Sequence, residues 1–277
     1  MWNTINSLNK NLISSYGACG DINRNTVASP ISDIRRDYSY DAQSLAREID
    51  QATLAKSKGY YEIWIDGEKV TTKVNRDKIE QDDLYGTTYL PRKFKIGVGH
   101  QLDNSIDIYT QDIGVMPVVN GKLIGFNILV GGGLGSHHRQ SQTFPRLADE
   151  LGMCSEKDVI KVVRTIVEIQ RDNGCRTNRK RARMKYLLDE WGVEKFKSEL
   201  ESRLGFPLDD YHNVSPNSLD DFYGWHEQRE KGKLYCGIFI ENGRIKDTDS
   251  VKLKTGLAKM ISDFNLESRL TATQDLI

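Results

Sequence analysis

Apolar residues recur at helical spacing in some stretches of the chain and at strand spacing in others. Trp2, Ile5, Leu8 and Leu12 predict a helix over 2–13, stopping near Gly17. Leu45, Ile49 and Ala52 predict a second over 41–57, with Gly59 past its end. Tyr61, Ile63 and Ile65 alternate with Glu62, Trp64 and Asp66, and Asp66-Gly67 turns that strand into a partner at 69–74. Residues 75–86 are charged and read as a surface loop. YLPRKFKIGV (89–98) predicts a strand beginning after Pro91. The clearest local signal is a hairpin, 115–119 and 122–130 around Asn120-Gly121, a dipeptide that favours a type I′ turn. Its second strand runs straight into Gly131-Gly132-Gly133-Leu134-Gly135.

Helices dominate next. Ser155 and Asp158 have capping-box spacing, and Val159, Val162, Val163, Ile166 and Val167 form an apolar face ended by Asn173-Gly174. Residues 178–190 predict another helix, stopped by Gly192, and 193–204 a third, stopped by Gly205. The polar stretch 207–222, with Pro207 and Pro216, reads as a linker. After it come a strand (234–240), a turn at Asn242-Gly243, a helix (257–264) and a strand (268–277).

Composition narrows the classes. Lys+Arg and Asp+Glu both number 39, so the net charge is zero, which argues against a dedicated nucleic-acid binder. No apolar run approaches membrane-spanning length, and the N-terminus lacks the pattern of a signal peptide. Cys19, Cys154, Cys175 and Cys236 form no C-x-x-C pair, so the chain carries no zinc or iron–sulfur signature of its own, and scattered thiols fit a reducing compartment.

Four features are candidates for chemistry. From 171 to 185 there are seven basic residues (171, 176, 179, 180, 181, 183, 185) against one acid, Asp172. On a helix Arg179 and Arg183 would share a face while Ala182, Leu187 and Leu188 look inward; the plain alternative is a solvated face. Guanidinium groups suit carboxylates and phosphates, whereas aromatics for base stacking are absent here. Lys93 and Lys95 would point to one face of a strand, where they repel unless an anion lies between them or both face water. GGGLG follows a strand but fits neither a P-loop nor G-x-G-x-x-G, leaving a place of close backbone approach or sharp turning. DINRN (21–25) reads as a polar turn, and His137-His138, being adjacent, are poorly placed to share a metal.

Together, ACGDINRN (18–25), YLPRKFKIGV (89–98), GKLIGFNILVGGGLG (121–135), QRDNGCRTNRKRARMKY (170–186), ENGRI (241–245) and SRLTATQDLI (268–277) resemble the sirohaem-containing sulfite and nitrite reductases, in family order. The resemblance implies six-electron reduction of an oxyanion on a sirohaem iron coupled to a [4Fe–4S] cluster. It implies Arg24, Lys93 and Lys95 as the residues that bind the oxyanion. It implies a cofactor pocket of Asn23, Arg92, Asn127, Gly131, Gly132, Gly133, Arg176, Arg179, Arg183, Thr271 and Gln274, with the glycine run against the macrocycle. Lys95 implies sulfite rather than nitrite, and 224–245 looks more like the ferredoxin-dependent branch than the flavoprotein-dependent one.

The fold implied is α+β: a mixed sheet with helices forming one sirohaem-domain half over 1–205, a linker over 206–221, and the start of a ferredoxin-like repeat over 222–277. The family's cluster cysteines, C-x5-C and C-x3-C, lie downstream of that repeat, so no metal ligand is carried onto this chain. It reads as the middle of such an enzyme, inactive alone, placed in the cytoplasm, or in a plastid if eukaryotic. Readings kept beside this are a nitrite reductase, a non-catalytic tetrapyrrole or anion binder, and a nucleic-acid binder using 171–185.

Overall fold

The computed structural model describes residues 2–10, 20–56, 64–65, 68–69, 81–214 and 222–277. Helix α1 (Trp2–Lys10) precedes strand β1 (Asn23–Ala28) and helix α2 (Ala42–Ala52). Two short strands, β2 (Trp64–Ile65) and β3 (Glu68–Lys69), pair antiparallel. Strands β4 (Phe94–Val98), β5 (Ile113–Asn120), β6 (Lys122–Val130) and β7 (Asp149–Cys154) follow, then helices α3 (Val159–Asn173), α4 (Met184–Trp191) and α5 (Val193–Leu204). The C-terminal part holds β8 (Gly224–Glu227), β9 (Leu234–Gly237) and α6 (Leu253–Phe264). The proposed Gly17 stop, the Asp66-Gly67 turn and most of 57–80 lie outside the described residues. Among those described, no helix is long and apolar enough to cross a membrane.

One sheet organises the chain, in the order β1-β4-β5-β6-β7. β1, β4 and β5 run parallel; β6 and β7 are antiparallel to their neighbours. The β5–β6 hairpin turns where the dipeptide predicts, with Gly121 at φ +71. Phe94, Ile96 and Val98, alternating with residues on the other side, join Ile113, Val115, Phe126, Ile128 and Val130 on one face. That face packs on Leu45 and Ile49 of α2 and Val162, Val163 and Ile166 of α3. A smaller cluster, including Met116, Leu129, Ile106 and Ile108, covers part of the opposite face.

The structure differs from the sequence expectations in six places. Residues 178–190 are not one helix: a 3-10 turn, Arg179–Arg181, precedes α4, and Arg183 between them is extended (φ −78, ψ 154). The Asn178 side chain accepts the Lys180 N–H and closes that turn, so Arg179 and Arg183 share no helical face. The polar 23–28 run is an edge strand, and β7 was hidden because Asp149, Glu150 and Gly152 break its apolar alternation. At α3 the cap is Asp158, whose carboxylate is taken by the Ser155 hydroxyl rather than by a backbone N–H. Residues 207–214 do not swing free: Asp209 and Met153 exchange backbone bonds at 2.9 Å in both directions. Finally, 268–277 is no straight strand; it folds back between Arg269 and Ile277, and Leu276 then pairs with Ile238.

The C-terminal part docks on residues 30–38. Arg269 grips the Asp33 carboxylate with both Nη atoms, at 2.5 and 2.9 Å, and Arg229 donates to the Tyr38 carbonyl at 2.7 Å. Phe222 and Tyr235 pack with Ile31 and Tyr38 beneath these contacts.

Candidate functional site: a cation-lined sheet face

Parallel pairing of β1 with β4 sets Asn23 opposite Phe94, both buried against the helices. Lys93 and Lys95 flank Phe94 and belong to the other face; Arg24 sits at a register break in β1, exposed and close enough to Lys93 to repel it. Gly20, at φ +100, lets the entering segment lie on β4; a Cβ there would stand 2.9 Å from the Lys93 backbone nitrogen. Arg92 lies in the bend before β4, and Arg179 and Arg183 arrive from the turn before α4.

These six cations repel one another. Burial first, then Arg179, Arg183 and Arg24, hold the Arg92 guanidinium below its usual pKa. Burial first, then Arg183, Lys95, Arg24 and Arg92, do the same to the Lys93 ammonium. Among the described residues no carboxylate forms an ion pair with Arg92, Lys93, Lys95 or Arg179. An acid in contact with the group is Asp112, wholly buried just before β5. Its Oδ2 accepts from Arg183 Nη2 at 2.9 Å and from the Lys95 backbone N–H at 3.0 Å. Burial pushes the Asp112 carboxyl above its usual range, against the pull of Arg183.

The basic run 171–185 divides. Arg171 pairs with Asp172 at 2.7 Å, and Arg181 with Asp189 at 3.2 Å. Arg176 spends its guanidinium on the carbonyls of Thr88, Tyr89 and Arg171, holding that loop rather than reaching the cluster. Lys185, counted in the sequence among charges seeking a ligand, is fully buried. Its ammonium donates to the carbonyls of Gly133 at 2.9 Å, Gly135 at 2.8 Å and Phe144.

Other expected pocket residues are used internally. Asn127 is buried, and its amide bonds the His212 backbone as a peptide would, donating at 2.6 Å and accepting at 3.0 Å. Asn23 donates to Thr53 at 3.0 Å and, through its backbone N–H, to the Tyr85 hydroxyl at 3.0 Å. The glycine run is crowded by the chain itself. A Cβ on Gly131 would meet Leu188, one on Gly132 the Tyr109 carbonyl at 2.3 Å, and one on Gly133 the Arg183 guanidinium at 2.6 Å. Thr271 and Gln274 sit in the C-terminal fold-back, Thr271 bonded to Thr273 and Asp275 and Gln274 against Gly243, with no hydrogen bond to the cations. His137 and His138 are exposed. Cys154, Cys175 and Cys236 are free thiols, and no three metal-binding side chains converge among the described residues.

Sequence reasoning missed Asp112 and the inward aim of Lys185. Both depend on register: which residue neighbours Lys95 across β4 and β5, and which side of α4 meets the glycine loop. The chain pattern carries no direct sign of either.

A mixed sheet with helices packed on one face, and basic side chains gathered at one end, defines an α+β domain with a cationic end. Residues 19–208 match the family described as the nitrite and sulphite reductase 4Fe-4S domain. The chain belongs to that family. It is 40% identical over 274 residues to the hemoprotein beta-component of NADPH sulfite reductase of Shewanella sp. (strain ANA-3), covering 99% of this chain and 48% of that one. It is 42% identical to the ferredoxin sulfite reductase of Synechococcus elongatus, covering 97% of this chain and 45% of that one. The solved structure of the Mycobacterium tuberculosis NirA protein shares the fold, with a TM-score of 0.70 at 22% identity, covering 99% of this chain and 43% of that one. The chain spans about half the length of the curated relatives it matches.

Proposed function

We propose that the cationic face is the anion-binding wall of a sulfite reductase, an oxidoreductase reducing sulfite to sulfide with six electrons. The observation that carries this is the gathering of Arg24, Arg92, Lys93, Lys95, Arg179 and Arg183, the last of them paired with the buried Asp112. Arg92, Lys93, Lys95 and Arg179, which form no ion pair among the described residues, are held together against electrostatic repulsion, and a bound anion would stabilise them. The names of the relatives matched over nearly the whole chain support sulfite. Because those relatives are about twice as long, the activity is that of a longer protein.

Sirohaem, a polycarboxylate, suits this donor set: Arg92, Arg179 and Arg183 would hold its carboxylates, while Arg24, Lys93 and Lys95 would meet the substrate oxyanion. When bound, it supplies the iron through which electrons reach sulfur. The chain's own residues attract the oxyanion, orient it and stabilise charge as S–O bonds break. Lys93, whose ammonium releases its proton more readily than a free lysine, is suited to protonating a departing oxygen. Asn23, Asn127, Arg176, Gly131, Gly132 and Gly133 serve by shaping this wall, and Thr271 and Gln274 belong to the separate C-terminal part. Among the described residues the thiols do not suit a [4Fe–4S] cluster: Cys154 is buried with its thiol pushed up to about 12, and Cys175 and Cys236 lie in different parts of the fold.

The division into a sirohaem-domain half (1–205), a linker (206–221) and a ferredoxin-like part (222–277) is supported by the stop of α5 at Gly205, while Phe206 and Leu208 still pack on the first part's core. An electron-carrier partner follows from the reaction. Ferredoxin is favoured by the likeness of 224–245 and by the name of the Synechococcus relative, with a flavoprotein donor the choice favoured by the NADPH-type relatives.

Calorimetric titration of the purified chain with sulfite, nitrite and a single-stranded oligonucleotide tests the reading. Sulfite binding that weakens in Lys93→Met and Lys95→Met is expected. Nitrite bound more tightly than sulfite would favour the nitrite enzyme. Oligonucleotide binding with a steep salt dependence, and none of sulfite, would overturn the proposal.

A further inference from the structure

Resting on the reading of this face as an anion site, we propose that Asp112 is a positioning residue whose buried carboxylate fixes the orientation of Arg183 toward the bound anion. Arg183 leaves the 3-10 turn in extended conformation and reaches back under the sheet end. Its side chain is 11% exposed and that of Asp112 is 0% exposed, so the pair is removed from solvent screening. One nitrogen, Nη2, carries the contacts that hold it: Asp112 Oδ2 at 2.9 Å and the Gly132 carbonyl at 3.4 Å. The bare backbone of Gly133 gives the guanidinium its room. Arg183 Nε is buried and finds no hydrogen-bond partner among the described residues, and neither does Asp112 Oδ1.

A buried N–H left without an acceptor is costly, and an arginine that needed only a counter-charge would meet the carboxylate with two nitrogens. Here a single oxygen is shared between Arg183 and the Lys95 backbone N–H. The carboxylate thereby ties the strand carrying Lys95 to the turn carrying Arg183, and leaves the Nε edge of the guanidinium unspent. That edge is the donor an anion would take.

A counter-charge and a positioning residue predict opposite signs. Removing a carboxylate beside six cations raises the positive potential, and by Coulomb's law alone would tighten anion binding. Removing a positioning group frees Arg183 and loosens it.

The test uses Asp112→Asn, of the same shape without the charge, with inorganic sulfite as the probe at low ionic strength. Sulfite dissociation constants about tenfold higher than native are expected, the scale of one charge-assisted hydrogen bond. Adding Arg183→Gln to Asp112→Asn should weaken binding little further, because the two act as a unit. A lower dissociation constant in Asp112→Asn would overturn the proposal. Independently of any ligand, the Arg183 Nε–H resonance should be slow to exchange with solvent in the native chain and fast in Asp112→Asn; equal exchange in both would overturn it too. If the native chain binds no sulfite while that resonance still changes, the orienting role stands and the sulfite reading falls.

Discussion

The imidazole of His100 lies flat on the Tyr38 ring, with centroids 3.8 Å apart and planes 4° apart. Both rings are buried beside Asp103, which accepts the Tyr38 hydroxyl at 2.7 Å and the Ser29 hydroxyl at 2.6 Å. His100 Nδ1 accepts the Leu102 N–H at 3.1 Å, a bond only the neutral ring can make.

Burial first lowers the His100 pKa from 6.5 to about 4, helped by Arg35 and Arg229 and opposed by Asp103 and Asp37. Between those values the unfolded chain binds more protons than the folded one. Stability therefore falls as pH falls from about 6.5 to about 4, by about 3 kcal/mol from this ring. Urea unfolding of the native chain across that window should show the slope. His100→Phe, which keeps the stacking, should flatten it; an equal slope in both would assign the acid sensitivity elsewhere.

The Asn127 amide holds the 207–214 segment onto the sheet through two bonds to His212. Asn127→Ala removes both bonds to the His212 backbone and leaves a void in a buried position, and should cost about 2 kcal/mol. Asn127→Asp keeps the acceptor, loses the donor and adds a buried charge, so it should cost at least as much. Both are read from urea midpoints, with the spectrum of the folded protein unchanged.

The glycine-rich loop contains positions with opposite tolerance. A Cβ at Gly132 would stand 2.3 Å from the Tyr109 carbonyl and 2.5 Å from the Gln111 carbonyl, whereas one at Gly135 would meet nothing within 4 Å. Gly132→Ala should destabilise by about 3 kcal/mol, and Gly135→Ala by less than about 0.5 kcal/mol. Thermal unfolding of the two variants side by side distinguishes internal packing from any general need for glycine in the loop.

The β5–β6 hairpin and the helices α2, α3 and α5 were legible because local signals and burial agree there: Asn120-Gly121 turns, Gly205 stops, and the apolar faces point inward. β7 was not, because its polar start and Gly152 answer to the 207–212 segment packed against it rather than to alternation. The break at Arg183 was not legible either, since a helix through 178–190 satisfies propensity, while the Asn178 cap and the contacts of Arg183 with Asp112 and Gly132 favour the turn. Within the site, Lys93 and Lys95 could be placed on one face from spacing alone. Which basic residues of 171–185 join them depends on carbonyls and carboxylates supplied from far along the chain.

The most direct test of the anion site is diffraction from crystals soaked in selenite, the heavier analogue of sulfite, at the selenium absorption edge. An anomalous peak within hydrogen-bond reach of Lys93 Nζ, Lys95 Nζ and the Arg24 guanidinium is expected, and it should disappear in Lys93→Met. Selenium bound elsewhere, or a peak that persists without Lys93, would contradict the assignment of this face as the substrate wall.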